Sequence, residues 1–160
     1  MASDDKQIQT GNLDQMVTFN LGQEEFGVNI LQVQEINRMV EITRVPQTEQ
    51  YVKGIINLRG KVIPIIDLRK KFKMPEKEYD NHTRIVVVDI ANETIGLVVD
   101  GVSEVLRVPA GSLEDAPRLI SGEPSCSGAE YIKAIVKLED RILIYLDLEK
   151  IIETSKLPAA

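Results

Sequence analysis

The sequence has no tryptophan, and aromatic residues make up only 4% of its 160 positions. Stacking platforms for bases or sugars are therefore scarce. A single cysteine, Cys126, permits no internal disulfide and suits a reducing, cytoplasmic setting. No apolar run approaches the ~20 residues of a membrane span. The opening stretch MASDDKQIQTGNLDQ is too polar for a signal peptide. A net charge of −6 leaves no broad basic face for nucleic acid or an anionic membrane. The one histidine, His82, lies in the polar stretch PEKEYDNHT and reads as solvated rather than as a general base. Cys126 sits in EPSCSGAE with no basic neighbour to activate it. There is no Gly-rich phosphate loop, no G-x-S-x-G elbow and no metal-ligand spacing. Neither catalysis nor a cofactor nor a metal is expected. A hydrolase would need a polar pocket beside Cys126 or His82.

What is present is apolar and repeated. Hydrophobic residues reach 43% and charged residues 28%, ordinary for a soluble protein of one domain or two small lobes. Tyr51–Phe72, YVKGIINLRGKVIPIIDLRKKF, aligns without gaps on Tyr131–Ile152, YIKAIVKLEDRILIYLDLEKII, with 7 identities in 22 positions. Upstream, Phe19–Arg38 aligns on Val88–Arg107 and matches Glu24/Glu93, Gly27/Gly96, Val33/Val102, Glu35/Glu104 and Arg38/Arg107. The offsets are 80 and 69, so the second copy carries 11 extra residues between Arg107 and Tyr131, in a stretch rich in Pro, Gly and Ser that reads as a long exposed loop. The chain reads as a tandem duplication of a unit of roughly 70 residues.

Each unit reads as short strands. MVTFNL with EFGVNI, and RIVVVDI with TIGLVVD, are hairpin signals. ILQVQEI and VDGVSEV each suggest a single helical turn, followed by a third strand in RMVEITRV and VLRV. The two long hairpins supply the rest. Asp67 and Asp147 stand where a strand gives way to a short helix and are expected to cap it. Pro64 removes a ladder donor, which predicts an edge strand or a bulge. The fold class is all-β with short helices: two pseudo-repeated five-stranded barrels packed side by side. Residues 15–80 are expected to form the first barrel and 81–153 the second, with strand exchange allowed at their ends and 1–14 and 154–160 as flexible tails.

FGVNILQVQEI, the N-L-R-G hairpin with its following P-I-I-D-L, and G-L-V-V-D-x-V-S-E-V resemble the bacterial chemotaxis coupling protein family, CheW, from Val17 to about Glu153. The resemblance implies SH3-like barrels, no catalytic activity, and a cytoplasmic adaptor recruited to membrane-associated chemoreceptor arrays. Its implied partners are the cytoplasmic tip of methyl-accepting chemoreceptors and the regulatory domain of the histidine kinase CheA, with no nucleic acid and no membrane insertion. An SH3-like peptide-binding scaffold outside chemotaxis is the alternative.

The resemblance assigns receptor binding to a groove between barrels, at Val33, Glu35, Gly54 and Arg59, and kinase binding to a strand containing Ile142, Leu143 and Ile144. Alternation places some of those three in the core. Val33 and Glu35 recur in the second copy as Val102 and Glu104, so each also fits a structural role. Arg59 does not recur, because Glu139 holds its place, and this favours recognition. Arg59 pairs either with Glu35 or with a receptor acid. Gly60 opposite Asp140 predicts positive φ at both. Ala134 stands where the first copy has Gly54, a departure in the copy with the weaker motif.

Overall fold

The computed structural model describes residues 15–46, 48, 50–109, 111–115 and 131–154. The expectations for residues 1–14, for Cys126 and for most of the inserted loop lie outside these. The strands are β1 (Gln15–Leu21), β2 (Glu24–Asn29), β3 (Val33–Arg38), β4 (Val52–Leu58), β5 (Lys61–Asp67), β6 (Arg84–Ile90), β7 (Glu93–Val99), β8 (Gly101–Arg107), β9 (Leu113–Glu114), β10 (Ile132–Lys137) and β11 (Ile142–Leu146). A 3-10 turn spans Ile30–Gln32, and helices α1 (Leu68–Lys71) and α2 (Leu148–Thr154) follow β5 and β11.

Two sheets form, in the orders β8-β1-β2-β11-β10-β9 and β3-β6-β7-β5-β4. Neither is built from one repeat. The halves 15–80 and 81–153 each supply strands to both sheets, through parallel pairings of β11 with β2 and of β5 with β7. The exchange is reciprocal: Tyr145 opposes Gly27 in one sheet as Ile65 opposes Gly96 in the other. Even the bulges correspond, at Gln34 and Ser103 and again at Lys53 and Lys133. Each sheet curls back on itself. After β3 the chain reaches Thr43, which exchanges two 2.8 Å backbone hydrogen bonds with Ile55 of β4. After β8, β9 likewise pairs with β10 at Ile135 and Val136.

Alternation along the strands sorts side chains into three cores. On β6, Ile85 and Val87 point into a core whose described buried members all lie in the second sheet, while Val86, Val88 and Ile90 face a core shared by both sheets. On β1, Met16 enters a core of the first sheet, while Val17, Phe19 and Leu21 join the shared one. That is why RIVVVDI reads as continuously apolar, since both of its faces are covered. Each fully buried side chain of this size contributes ~1.5–3 kcal/mol. Gly27 and Gly96 match in the repeats for a packing reason. A Cβ on Gly27 would lie 2.4 Å from the Met16 sulfur, and one on Gly96 would lie 2.6 Å from Ile65 Cδ1.

Several local expectations change. Residues 33–36, read as part of a helical turn, belong to strand β3, where burial alternates at period two, and of the third strand expected in RMVEITRV only Arg38 in β3 and the bridge at Thr43 form. No helical turn precedes β8, which starts directly at Gly101. The inserted stretch is not wholly loop, since it supplies β9. Pro64 lies on neither an edge nor a bulge, because β5 runs between β4 and β7. Its opposite residue, Ile55, uses both backbone groups on Thr43, and the ladder to β7 starts only at Ile65. The missing N–H therefore leaves no partner stranded. The two aspartates do cap: Asp67 Oδ1 accepts from the Arg69 N–H at 3.0 Å, and Asp147 Oδ1 from the Lys150 N–H at 3.1 Å.

Candidate functional site

The N-L-R-G hairpin closes in two residues, because Leu58 pairs directly with Lys61. Arg59 at φ 52° and Gly60 at φ 85° make this a type I′ turn, whose twist matches the flanking strands. The Asn57 side chain braces it by accepting the Gly60 N–H at 2.8 Å. From this tip the Arg59 guanidinium reaches Glu35 on β3 and forms an ion pair. β3 and β4 are the two ends of the sheet order, so the pair joins the ends of the barrel, as does the Thr43–Ile55 bridge. The Arg59 side chain stays 71% exposed while Glu35 is only 20% exposed. An exposed cation is thus held at a fixed point with a half-buried acid beneath it. An exposed pair of this kind adds at most ~1 kcal/mol to stability.

The other two expected receptor residues meet different groups. Val33, at the start of β3, is half-buried and packs against the shared core. Gly54 has φ 146°, and a Cβ there would lie 2.1 Å from the Thr43 carbonyl oxygen. Its lack of a side chain is what admits the chain at Thr43 across β4. In the second copy, Ala134 sits where the bulge pairs it with Tyr145, without positive φ.

Of the three residues expected to meet the kinase, one faces solvent. Ile142 is 61% exposed, Leu143 lies wholly within the first sheet's own core, and Ile144 packs against the shared core. Nor is β11 an edge, since it is hydrogen-bonded to β2 and β10. The repeat gives Ile142 a counterpart in Val62 on β5, also 61% exposed. A second such pair is Ile36 on β3 and Val105 on β8, both exposed.

Sequence reasoning missed Arg141. The second hairpin also carries an arginine near its tip, two residues beyond the place aligned with Arg59. Arg141 pairs with Glu104, the counterpart of Glu35, and its Nε lies 3.6 Å from Glu25. This hairpin has a wider turn, closed by the Leu138 N–H donating to the Arg141 carbonyl at 2.9 Å. Positive φ is absent at Asp140, so the expectation drawn from Gly60 fails there. Looking for any arginine within two residues of the tip would have found the pairing.

A polar cleft of about 370 Å³ does lie beside His82, lined also by Asp80, Asp100 and Ser103. The Ser103 hydroxyl donates to Asn20, and Asp100 is held by Arg69 and Gly22. Among the described residues, no nucleophile there is joined to a base. Nor do the described residues include a cluster able to hold a metal ion, or a helix long and apolar enough to cross a membrane.

The CheW-like domain model matches residues 15–156. The chain belongs to the CheW-like family. The chemotaxis protein CheW of Klebsiella aerogenes is 38% identical over 143 residues, covering 89% of this chain and 84% of that protein. The chemotaxis protein CheW of Bacillus subtilis is 35% identical, covering 92% and 90%. The crystal structure of the scaffolding protein TtCheW from Thermoanaerobacter tengcongensis superposes with a TM-score of 0.75 at 35% identity, covering 84% of each chain. The two curled sheets are the pair of SH3-like barrels of that CheW scaffold. The chain is a CheW-type chemotaxis scaffold.

Proposed function

We propose that this scaffold couples the cytoplasmic tips of chemoreceptors to the regulatory domain of the histidine kinase CheA, acts without catalysing a reaction, and helps build receptor arrays at the membrane. The observation that carries the receptor half is the Arg59–Glu35 pair, an exposed guanidinium on a rigid turn above a half-buried carboxylate. Such a cation binds an acidic or amide-rich helical tip with little ordering cost, because its backbone is already fixed. Val33 lines the receptor groove beside the pair, and Gly54 shapes the strand beneath. The kinase half rests on Ile142, with Leu143 and Ile144 setting its strand rather than touching the partner.

Co-sedimentation of the full chain with receptor signalling fragments and the kinase tests this. Arg59→Ala should weaken receptor binding by about 2–5 kcal/mol, the cost of stripping a charged partner from an interface. The melting temperature should stay near wild type, because the pair is exposed. Glu139→Ala at the aligned position, and Arg141→Ala at the structural counterpart, should leave receptor binding intact. Equal losses in all three, or a loss only through unfolding, would remove Arg59 from the site. Failure of the wild-type chain to sediment with any receptor fragment would overturn the receptor half of this proposal.

A further inference from the structure

Apart from β9, whose counterpart in the first half is only the bridge at Thr43, the halves match strand for strand, yet the helices that follow them do not. Helix α1 carries Arg69 and Lys71 where α2 carries Glu149 and Ile151. Arg69 makes a two-point contact with Asp100: Nε donates to Oδ1 at 2.9 Å and Nη2 to Oδ2 at 2.7 Å. Its Nη1 donates to the Pro75 carbonyl at 2.7 Å. Asp100 is the single residue between β7 of one sheet and β8 of the other. Its Oδ2 also accepts the Gly22 N–H, at 2.7 Å, from the β1–β2 turn. Both side chains are mostly buried, at 13% and 16% exposure. Burial opposes the Asp100 charge, but the hydrogen bonds from Arg69 and Gly22 outweigh it and hold the carboxyl below its ordinary range.

Lys71 grips both sheets from the same helix. It is 7% exposed, with Nζ 4.0 Å from the ring centroid of Tyr51 and 5.3 Å from that of Tyr131. These tyrosines are counterparts under the repeat, one leading into β4 and the other into β10. A cation between two rings is attracted to both faces. In α2, Ile151 simply joins the shared core.

We propose that Arg69 and Lys71 are positioning residues that set the angle between the two barrels, and through it the shape of the groove that receives the receptor. The second clause rests on the receptor reading above. The hydrophobic attraction of the shared core is non-directional and does not by itself select one angle between the barrels. A two-point guanidinium–carboxylate pair fixes direction as well as distance. A glutamate in the place of Arg69, as α2 has, would instead repel Asp100.

Spin labels at Val62→Cys and Ile142→Cys, in a Cys126→Ser background of the full chain, report the distance between β5 and β11 of different sheets. The wild-type pairing should give one narrow distance distribution. Arg69→Gln and Lys71→Met should each broaden it or shift its mean by several ångström, and Arg69→Lys, which keeps the charge but not the two-point fork, should fall between. In unlabelled protein, Arg69→Gln should lower receptor-fragment affinity at least about tenfold. An unchanged distribution in folded Arg69→Gln and Lys71→Met overturns the positioning role. Should Arg69→Gln not fold, an unchanged distribution in Arg69→Lys and Lys71→Met does the same. A broadened distribution with unchanged receptor affinity keeps the positioning role and discards the groove between barrels as the receptor site.

Discussion

Two residues of the same hairpin show how one resemblance can cover two different physical roles. Arg59 projects an exposed charge, whereas Gly54 matters for what it lacks. At φ 146°, 2.1 Å from a backbone oxygen, a methyl group at position 54 must push Thr43 off β4 and break a closing bridge. Gly60, at φ 85°, has no atom within 4 Å of its missing Cβ, so a substitution there meets only backbone strain. Gly54→Ala is therefore expected to cost about 3 kcal/mol or more and Gly60→Ala about 1 kcal/mol. For a chain of this size that is roughly 6–12 °C against 2–4 °C in melting temperature. Thermal unfolding of both variants checks the order. Any receptor defect in Gly54→Ala then follows from the distorted strand, while a melting temperature equal to wild type would make Gly54 a contact residue after all.

At the scale of the element, strand β11 shows why a motif cannot be transferred as a block. Its three consecutive apolar residues point successively to solvent, to the first sheet's own core and to the shared core. Leu143→Ala should cost about 2–5 kcal/mol of stability by opening a cavity. Ile142→Lys should leave the melting temperature within a degree or two, since its side chain already meets water. If the strand serves the kinase, Ile142→Lys weakens binding to the kinase regulatory domain in a pull-down and Val62→Lys, its counterpart in the other sheet, does not. Unchanged binding in Ile142→Lys retires the strand as a kinase surface. Had the three residues been judged by alternation alone, Ile142 and Ile144 would have been grouped together. Packing against the shared core is what sets Ile144 apart from Ile142.

At the scale of the molecule, the repeat is a unit of sequence and not of folding. The shared core takes Val17, Phe19, Ile66 and Leu68 from the first half and Val86, Leu97, Leu146 and Ile151 from the second. β2 finds its parallel partner only in β11, and β7 only in β5. A chain of residues 15–80 alone would leave β1 and β2 without β8 or β11, and would expose its side of the core. It should therefore lack a cooperative thermal transition and bind a dye for exposed apolar surface. Mixed with residues 81–154, it should regain the circular dichroism of the intact chain. Independent cooperative folding of 15–80 would contradict the exchange of strands.

The sequence by itself determined the hairpin strands, the duplication, the helix caps at Asp67 and Asp147, and the family, because each rests on pattern readable along the chain, whereas that pattern misplaces β3, β8 and β9. Alternation, turn residues and capping chemistry act over a few positions and survive being read along a line. It also brought Arg59 and Glu35 into one expectation, although it left the partner of Arg59 open. Tertiary structure decided what distant segments do to one another. The reciprocal pairing of β5 with β7 and of β11 with β2 joins residues some 30 and 118 positions apart, as in Ile66 with Leu97 and Ile144 with Phe26. No local period encodes such a choice. The partial burial of Ile144, the pairing of Arg141 with Glu104 and the grip of Arg69 on Asp100 all depend on it. A side chain's face is set by its own strand, but what covers that face is set by the strand that arrives from elsewhere.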